Sequence, residues 1–326
     1  MIKRRSKKKA LITGIAGFAG SYLAELLLKK GYRVYGFLAP REKIDNIKHL
    51  KNNLKLDRFD ILKADKVSNF IKKSKPDYIF HLAALSSVGL SFTNEKSTYD
   101  VNFIGTYNIL IAIAGLKTPP KKIVFVSSPD IYGRFKPTAK KLDETQPFNP
   151  VSPYAVSKIA AEYLCLYYYL HHKLPIVRVR PFNHTGPRQN TDFAVPSFCR
   201  QIAEIENGLK KPKMSVGDLS NKRDLSDVRD IVRGYYFLAR KGEPGEVYHL
   251  CSGHAVSLRS ILNKLRRMAG VSINVSEDIN RFRKSDIPVL KGDYSRAAKT
   301  VGWFPEYKLE QTLQDTLNYW RKKITK

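Results

Sequence analysis

The chain has 326 residues, of which 43% are hydrophobic and 27% are charged, so it can bury a large core and intrinsic disorder is excluded. Its formal net charge of +29 would suit nucleic-acid binding, but the basic residues are dispersed apart from a dense run at residues 3–9. No RNA-binding signature is present, so we expect no nucleic-acid partner. The charge is equally typical of a lysine-rich proteome and of anionic small-molecule substrates.

No apolar run approaches the roughly 20 residues that span a bilayer, and the basic start of the chain does not lead into a signal-peptide core. We therefore expect a cytoplasmic protein with no membrane partner. The cysteines are odd in number and scattered, at Cys165, Cys199 and Cys251. This pattern predicts reduced, buried thiols and neither a disulfide framework nor a metal site.

Strand-like and helix-like segments alternate along the first half of the chain, which predicts parallel strands joined by crossover helices. The predicted strands cover 9–13, 33–38, 78–83, 123–128 and 175–180. The predicted helices cover 18–30, 98–114 and 154–172. The stretch between 38 and 78 is polar.

The pattern loosens from about Asn183 into loops, short strands and helices at 228–240, 258–269 and 309–322. These features predict an α/β protein with a doubly wound parallel sheet and a smaller C-terminal lobe. Residues 1–182 would form the cofactor-binding domain, and residues 183–326 would mainly bind the substrate. Later strands are expected to return to the first sheet, so the boundary is not clean.

Gly14, Gly17 and Gly20 follow the first strand and open the first helix with GxxGxxG spacing. In this context glycines permit a tight turn, close approach of a pyrophosphate to the helix N-terminus and close helix–strand packing. A dinucleotide would therefore contact the turn, including Phe18 and Ala19, on a sheet of the Rossmann type. The alternative is a purely structural glycine turn.

The second strand ends without the acidic residue that binds the adenine ribose of NAD, and no acid follows until Glu42. Arg41 could instead pair with a 2′-phosphate, because a guanidinium binds phosphate oxygens in bidentate fashion. The sequence thus favours NADP, with NAD as the alternative. Arg41 could also be a solvent-facing loop residue.

Tyr154 and Lys158 lie four residues apart in a predicted helix, so both side chains can point into one site. A tyrosine hydroxyl titrates near pH 10 and needs a nearby positive charge to exchange its proton at neutral pH. With a bound nicotinamide the pair suits proton transfer at an oxygen whose carbon exchanges hydride. Ser128, at the end of the predicted fourth strand, strengthens this interpretation against a chance pairing.

Together these residues resemble the extended short-chain dehydrogenase/reductase family of nucleotide-sugar epimerases, dehydratases and reductases. Within it the likeness is greatest to GDP-mannose 4,6-dehydratases and GDP-4-keto-6-deoxy-mannose reductases. The resemblance covers nearly the whole chain. Besides the glycine turn and the Tyr154/Lys158 pair, it is carried by Phe59-Asp60-Ile61, His81-Leu82-Ala83-Ala84, Asn102, Ser127-Ser128, Tyr132-Gly133 and the stretches 180–189, 223–230, 247–253 and 283–288.

The resemblance implies roles for individual residues. Those expected to contact the cofactor are Asp60 and Ile61 at the adenine, Leu82, Ala83 and Ala84 at the pyrophosphate and ribose, Lys158 at the nicotinamide ribose, and Asn102, Tyr154 and Pro181. Those expected to contact the substrate are Ser86, Ser128, Asn183, Arg223, Arg283 and Asp286. His81 and His184 are interpreted as structural or supporting residues. Asn183 could instead cap the following segment, and either arginine could be a solvated surface charge.

A reductase needs only a hydride donor and a proton donor, whereas a 4,6-dehydratase also needs a carboxylate that exchanges protons at C5 and C6 of the sugar. The dehydratases that resemble this chain carry Glu two residues after the catalytic Thr or Ser, but here Ser128 is followed by Pro129 and the shorter Asp130. The resemblance therefore favours an NADPH-dependent reductase of a GDP-4-keto-6-deoxy-hexose, yielding GDP-rhamnose or a related sugar.

Three alternatives remain open: a dehydratase with Asp130 as acid/base, a sugar-nucleotide epimerase, and a non-catalytic protein that senses dinucleotide or binds nucleic acid. A homodimer is expected, because the helix from Tyr154 carries more apolar surface than one core face needs.

Overall fold

The computed structural model describes residues 7–134, 141–281 and 287–325. Its strands are β1 (Lys9–Thr13), β2 (Arg33–Leu38), β3 (Leu54–Arg58), β4 (Tyr78–His81), β5 (Lys122–Val126), β6 (Ile176–Pro181), β7 (His184–Thr185), β8 (Lys213–Val216), β9 (Lys222–Asp224), β10 (Ser226–Asp227), β11 (Val247–Leu250), β12 (Ala255–Ser257), β13 (Asn274–Glu277) and β14 (Val289–Leu290).

Its α-helices are α1 (Phe18–Lys29), α2 (Ala64–Ser74), α3 (Val88–Ser91), α4 (Glu95–Tyr99), α5 (Gly105–Ala114), α6 (Pro153–His172), α7 (Ala194–Glu206), α8 (Val228–Lys241), α9 (Leu258–Met268), α10 (Ser295–Val301) and α11 (Leu309–Ile324). Short 3₁₀ segments lie at Asp45–Asn53, Pro129–Tyr132 and Ile279–Arg281, and a π-helical turn at Asp100–Ile104 joins α4 to α5.

Seven strands form the central sheet in the order β11-β6-β5-β4-β1-β2-β3, and every neighbouring pair is parallel. The chain adds β2 and β3 on one side of β1 and then crosses to the other side for β4. The strand order therefore reverses between β1 and β4, and ligands of doubly wound sheets bind at the carboxyl ends of the strands at such a point. The predicted doubly wound α/β fold is confirmed.

Two hydrophobic layers cover the sheet, because successive side chains of a strand point to opposite faces. In β1, Ala10 and Ile12 pack in the layer that contains α1 and α8, whereas Leu11 packs in the layer that contains α2, α5 and α6. Burial on both faces explains why these strands read as nearly continuous apolar runs.

A smaller cluster lies beyond the sheet, where α7, α9 and α11 pack with the parallel pair of β8 and β13. The sequence analysis grouped the helix at 228–240 with the smaller C-terminal lobe, but α8 packs against α1 and the central sheet. The later strand β11 also returns to the central sheet, where it pairs with β6. The apolar residues Ile231, Tyr235 and Leu238 of α8 join the core under the sheet, which accounts for the difference.

Most predicted elements agree with the structure to within a few residues. The helix predicted at 98–114 begins earlier and contains the π-helical turn. Four helices were missed: α2 in the polar stretch, the short α3 after β4, α7 after residue 183, and α10 before the last helix. No helix in the described ranges combines the length and hydrophobicity needed to cross a bilayer.

Candidate active site

A cavity of about 940 Å³ opens at the carboxyl ends of the central strands. The glycine turn after β1, the segment after β4, the end of β5, the start of α6 and the segment after β6 all contribute to its wall. The predicted site residues on this wall are Gly14, Gly17, Phe18, Ala19, Gly20, Asp60, Ile61, Leu82, Ala83, Ala84, Ser86, Ser128, Asp130, Tyr154, Lys158, Pro181 and Asn183.

The glycine turn leaves no room for side chains. Gly14 has φ +69°, in the left-handed region that favours glycine, and a Cβ at Gly20 would lie 2.1 Å from the carbonyl oxygen of Gly14. No side chain caps the N-terminus of α1, and its first turn carries no acidic residue. Open backbone N–H groups and the positive end of the helix dipole suit a diphosphate. The turn therefore fits a dinucleotide.

A buried chain of hydrogen bonds holds the segment after β4 beside this turn. The Thr106 hydroxyl donates to the Asn102 carbonyl (2.6 Å), so it accepts from Nε2 of His81 (2.9 Å). Nδ1 of His81 then accepts from the Thr13 hydroxyl (2.7 Å), whose oxygen accepts from the backbone N–H groups of Leu82 and Ala83 (3.1 Å each). Burial lowers the pKa of His81 to about 3, so the ring is neutral. This histidine positions the wall.

Asn102 itself does not line the cavity. Its side chain accepts from the backbone N–H of Leu85 (2.8 Å) and donates to the carbonyl of Leu85 (3.2 Å) and the hydroxyl of Ser157 (2.9 Å). It thus ties the wall segment to α6, which carries Tyr154. Its predicted direct contact with the cofactor remains a prediction.

Ser128, Tyr154 and Lys158 come together at the inner end of the cavity, each less than 10% exposed. Burial raises the pKa of the Tyr154 hydroxyl, the Asp130 carboxylate acts in the same direction, and a hydrogen bond from Ser128 opposes them. Tyr154 therefore holds its proton at neutral pH and can act as an acid.

Lys158 donates from Nζ to the carbonyl of Val126 (2.5 Å) and lies over the ring of Phe125. Burial lowers the pKa of Lys158 to about 8, while Glu162 one turn further along α6 acts against this shift. The lysine therefore still carries its charge at pH 7. The positive charge of Lys158 near Tyr154 would stabilise the phenolate that forms when the tyrosine loses its proton.

Glu162, on α6, belongs to a buried network of hydrogen bonds and ion pairs. Its carboxylate accepts from Nε and Nη2 of Arg180, the closer contact being 2.6 Å, and Arg178 also lies within ion-pair distance. Arg180 in turn donates to the hydroxyl of Tyr132, which also hydrogen-bonds to Nε2 of His249 (2.6 Å). The network locks α6 against β6 and β11.

Asp130 lies beside Ser128. The Ser128 hydroxyl and the Asp130 carboxylate are 3.2 Å apart, and the backbone N–H of Asp130 donates to the same hydroxyl oxygen (3.2 Å). The carboxylate therefore reaches the hydroxyl of Ser128. Pro129 begins the short 3₁₀ turn that carries it.

Besides Asn102, two described residues of the predicted site do not line the wall. Arg41 is exposed, and Arg223 in β9 donates to the carbonyls of Lys222 (3.0 Å) and Ile287 (2.5 Å). Arg283 and Asp286 lie outside the described residues. The roles of these four residues therefore stay predictions.

Asn183 and the segment before α7 also contribute to the cavity wall. The side-chain oxygen of Asn183 is buried and has no hydrogen-bond partner among the described residues, so it can accept from a ligand. Residues 7–134, 141–281 and 287–325 contain no cluster of three or more His, Cys, Asp or Glu side chains that could hold a metal ion.

Sequence reasoning missed two wall residues of particular interest. Tyr235 on α8 is 1% exposed and lies close enough to Tyr154 for the two hydroxyls to interact electrostatically. Its helix was assigned to the wrong part of the molecule, so no signal pointed to it. Glu42 also lines the wall. The sequence analysis noted it only as the first acidic residue after β2, although a position just after the second strand could have indicated that it lies at the cavity.

Comparison with known proteins gives a consistent result. The family model for GDP-mannose 4,6 dehydratase matches residues 11–316. The chain is 31% identical to the GDP-6-deoxy-D-mannose reductase of Pseudomonas aeruginosa, over 97% of this chain and 98% of the relative. It is also 31% identical to a GDP-mannose 4,6-dehydratase of Vibrio cholerae, over 95% and 92% of the two chains.

Among solved structures, RMD from Pseudomonas aeruginosa complexed with NADPH superposes with a TM-score of 0.85 at 30% identity, covering 97% of this chain and all of that one. These matches confirm the resemblance that the motifs indicated. By sequence and by fold, the chain belongs to the GDP-mannose 4,6-dehydratase family of short-chain dehydrogenases/reductases.

Proposed function

We propose that the chain is an NADPH-dependent oxidoreductase that reduces the 4-keto group of a GDP-4-keto-6-deoxy-hexose, with NADH as an alternative donor. The observation that carries the proposal is the convergence of Ser128, Tyr154 and Lys158 on the cavity that begins at the glycine turn. The similar reductase of Pseudomonas aeruginosa acts on a GDP-6-deoxy sugar by its name, and the similar RMD structure was solved with NADPH.

The bound dinucleotide would supply the hydride for the keto carbon. The protein's own task is then at the keto oxygen, where Ser128 would donate a hydrogen bond and Tyr154 would deliver its proton. Because its pKa is raised, Tyr154 is protonated at neutral pH and can supply that proton. The positive charge of Lys158 then stabilises the phenolate that remains. Apolar walls from Val126 and Pro181 keep water from the reacting carbon.

We further propose that residues 1–182 mainly bind the dinucleotide and residues 183–326 mainly bind the GDP-sugar, in a cytoplasmic homodimer. Ile104, Tyr107 and Ile111 lie three and four positions apart and are exposed on α5 and the turn before it. Tyr163, Tyr167 and Leu170 have the same spacing on α6 and are also exposed. Such a pair of apolar helix faces suits packing against a second copy.

A GDP-mannose 4,6-dehydratase is the second candidate, favoured by the position of Asp130 on the cavity wall beside Ser128. Two observations favour the reductase over it. The carboxylate lies against the Ser128 hydroxyl, 3.2 Å away, and aspartate is one methylene shorter than the glutamate of the similar dehydratases, so its reach toward the sugar C5 and C6 is reduced. An epimerase is the third candidate, since it needs the same Tyr/Lys pair.

The decisive assay compares GDP-mannose alone with a GDP-4-keto-6-deoxy-hexose plus NADPH. We expect turnover only with the second pair. Consumption of GDP-mannose without added reductant would overturn the reductase assignment in favour of the dehydratase.

Two variants separate the roles within this assay. Asp130→Asn should retain reductase activity within about tenfold, whereas a dehydratase should lose at least about a hundredfold when its acid/base is removed. Tyr154→Phe should abolish turnover with NADPH binding intact. Unchanged turnover in Tyr154→Phe would refute the proposed proton donor.

A further inference from the structure

Tyr235 on α8 lines the cavity, although the reaction proposed above gives it no task. Its side chain is 1% exposed and belongs to the hydrophobic layer of α1 and α8. Val126 packs against the same layer, and its carbonyl accepts from Nζ of Lys158 (2.5 Å). Tyr235 is also close enough to Tyr154 for the two hydroxyls to interact electrostatically. Tyr235 therefore lies at the catalytic end of the cavity.

The hydroxyl of Tyr235 makes no hydrogen bond to any residue in the described ranges. Two other described tyrosines are also less than 2% exposed, and both have protein partners. The Tyr132 hydroxyl bonds to Nε2 of His249 (2.6 Å), and the Tyr248 hydroxyl accepts from the backbone N–H of Glu243 (3.2 Å). A buried hydroxyl without a partner costs stability, whereas phenylalanine would pack at this place without that cost. The unsatisfied hydroxyl of Tyr235 therefore indicates a partner in a bound ligand.

Close packing fixes the position of this hydroxyl. Gly234, the neighbour of Tyr235, lets α8 approach β11, because a Cβ at Gly234 would lie 2.5 Å from Cδ1 of Leu250. Near the start of α8 the carbonyl of Asp230 accepts from Nε1 of the buried Trp303 (2.9 Å). The hydroxyl of Tyr235 is therefore held in place before a ligand binds.

Tyr154 and Tyr235 face the cavity from opposite layers of the sheet. Tyr154 is carried by α6 on one face, and α8 covers the other face. In the proposed reaction the keto oxygen lies at Tyr154, so the nicotinamide ring that delivers the hydride must lie beside it. The one polar substituent of that ring is a neutral carboxamide. Burial raises the pKa of Tyr235, so the phenol keeps its proton and can donate to an amide oxygen.

We propose that the Tyr235 hydroxyl donates a hydrogen bond to the carboxamide oxygen of the nicotinamide ring and so holds the ring beside the keto carbon. The inference rests on the proposed function in that the cavity binds a nicotinamide dinucleotide. Only the nicotinamide half of the ligand makes this contact, since the diphosphate lies at the glycine turn after β1 in the proposed arrangement. Loss of the hydroxyl therefore weakens binding of the complete dinucleotide but not of a fragment that lacks the nicotinamide.

Isothermal titration calorimetry without sugar nucleotide tests the contact with two ligands, NADPH and 2′-phospho-ADP-ribose, which lacks the nicotinamide ring. Tyr235→Phe should weaken NADPH binding about fivefold, the effect of one neutral hydrogen bond, and change 2′-phospho-ADP-ribose binding by less than about twofold. If the wild-type protein prefers NADH, the same comparison uses NADH and ADP-ribose. Tyr248→Phe is the matched control, because it removes a buried hydroxyl from the same hydrophobic layer away from the cavity wall. Neither affinity should change in this control by more than about twofold.

Thermal unfolding without ligand separates the two variants. Tyr248→Phe loses a hydrogen bond and should lower Tm by about 1–2 °C, whereas Tyr235→Phe removes an unsatisfied hydroxyl and should not lower Tm. A lower Tm in Tyr235→Phe would show that the hydroxyl already has a protein partner and would overturn the proposal. Unchanged NADPH affinity in Tyr235→Phe, or an equal loss of both ligands, would also overturn it. If the wild-type protein binds no nicotinamide dinucleotide, the proposed function itself fails, so the two failures are distinguishable.

Discussion

Replacement of Lys158 by methionine should stabilise the protein while it abolishes catalysis. The side chain is 4% exposed, and burial lowers its pKa from the ordinary 10.5 to about 8. A tenfold loss of proton affinity corresponds to about 1.4 kcal/mol, so holding the charge in the folded state at pH 7 costs about 3 kcal/mol. Methionine removes this cost and loses the hydrogen bond to the Val126 carbonyl, worth about 1 kcal/mol.

The net gain of about 2 kcal/mol at pH 7 should raise Tm by about 3 °C for a chain of this size. The gain depends on pH in a defined direction. Below about pH 8 the lysine is protonated in both states, and the full cost applies. Between about pH 8 and 10.5 the unfolded chain binds more protons than the folded one, so wild-type stability rises relative to the variant. The advantage of Lys158→Met should therefore vanish by about pH 10.

Urea denaturation at pH 7, 8, 9 and 10 measures this difference without added dinucleotide. Trp303 reports on the core under the sheet and Trp320 on the smaller helical cluster, and both are buried. Lys29→Met, at an exposed position on α1, is the matched control and should change stability by less than about 0.5 kcal/mol at every pH. A variant less stable than wild type at pH 7, or an advantage constant from pH 7 to 10, would refute the reasoning.

Three further results are expected. Gly20→Ala should weaken dinucleotide binding at least about a hundredfold, because the added Cβ would lie 2.1 Å from the carbonyl oxygen of Gly14. Gly270→Ala is the control: an added Cβ there meets no atom within 4 Å, so this variant should bind the dinucleotide normally in the same titration. Glu162→Gln should lower the free energy of unfolding by about 3 kcal/mol in urea, since Arg180 would keep a buried charge without its partner; a loss below about 1 kcal/mol would contradict this. Light scattering should give twice the mass of the chain, and a monomer mass would argue against the proposed homodimer.

The sheet could largely be predicted from the sequence because its strands are buried on both faces. The bounds of β1 and β2 agree with the prediction, since continuous apolar runs leave little ambiguity. The missed helices lack such a clear apolar pattern. In α2 only three apolar side chains, Val67, Phe70 and Ile71, are buried. Pro196 near the start of α7 reads as a helix breaker although a first turn tolerates proline.

The candidate site likewise contains residues that could be predicted from the sequence and residues that could not. Residues that follow the parallel strands of one sheet, such as Gly14 after β1 and Ser128 after β5, could be placed together because parallel strands end at one edge of the sheet. Side chains whose position depends on tertiary contacts could not. Glu42 reaches the wall through a loop braced by Arg58, and Tyr235 reaches it because α8 returns to the sheet.

The pairing of β11 with β6 also constrains the synthesis of the protein. β6 leaves the ribosome as a buried-type strand with one side unpaired, and it keeps that open edge until residues 247–250 have been made. Unpaired apolar edges promote aggregation, and pairings distant in sequence form slowly. Fragments that stop after β6 should therefore be insoluble, and the sheet should be recovered only by expressing the chain past β11.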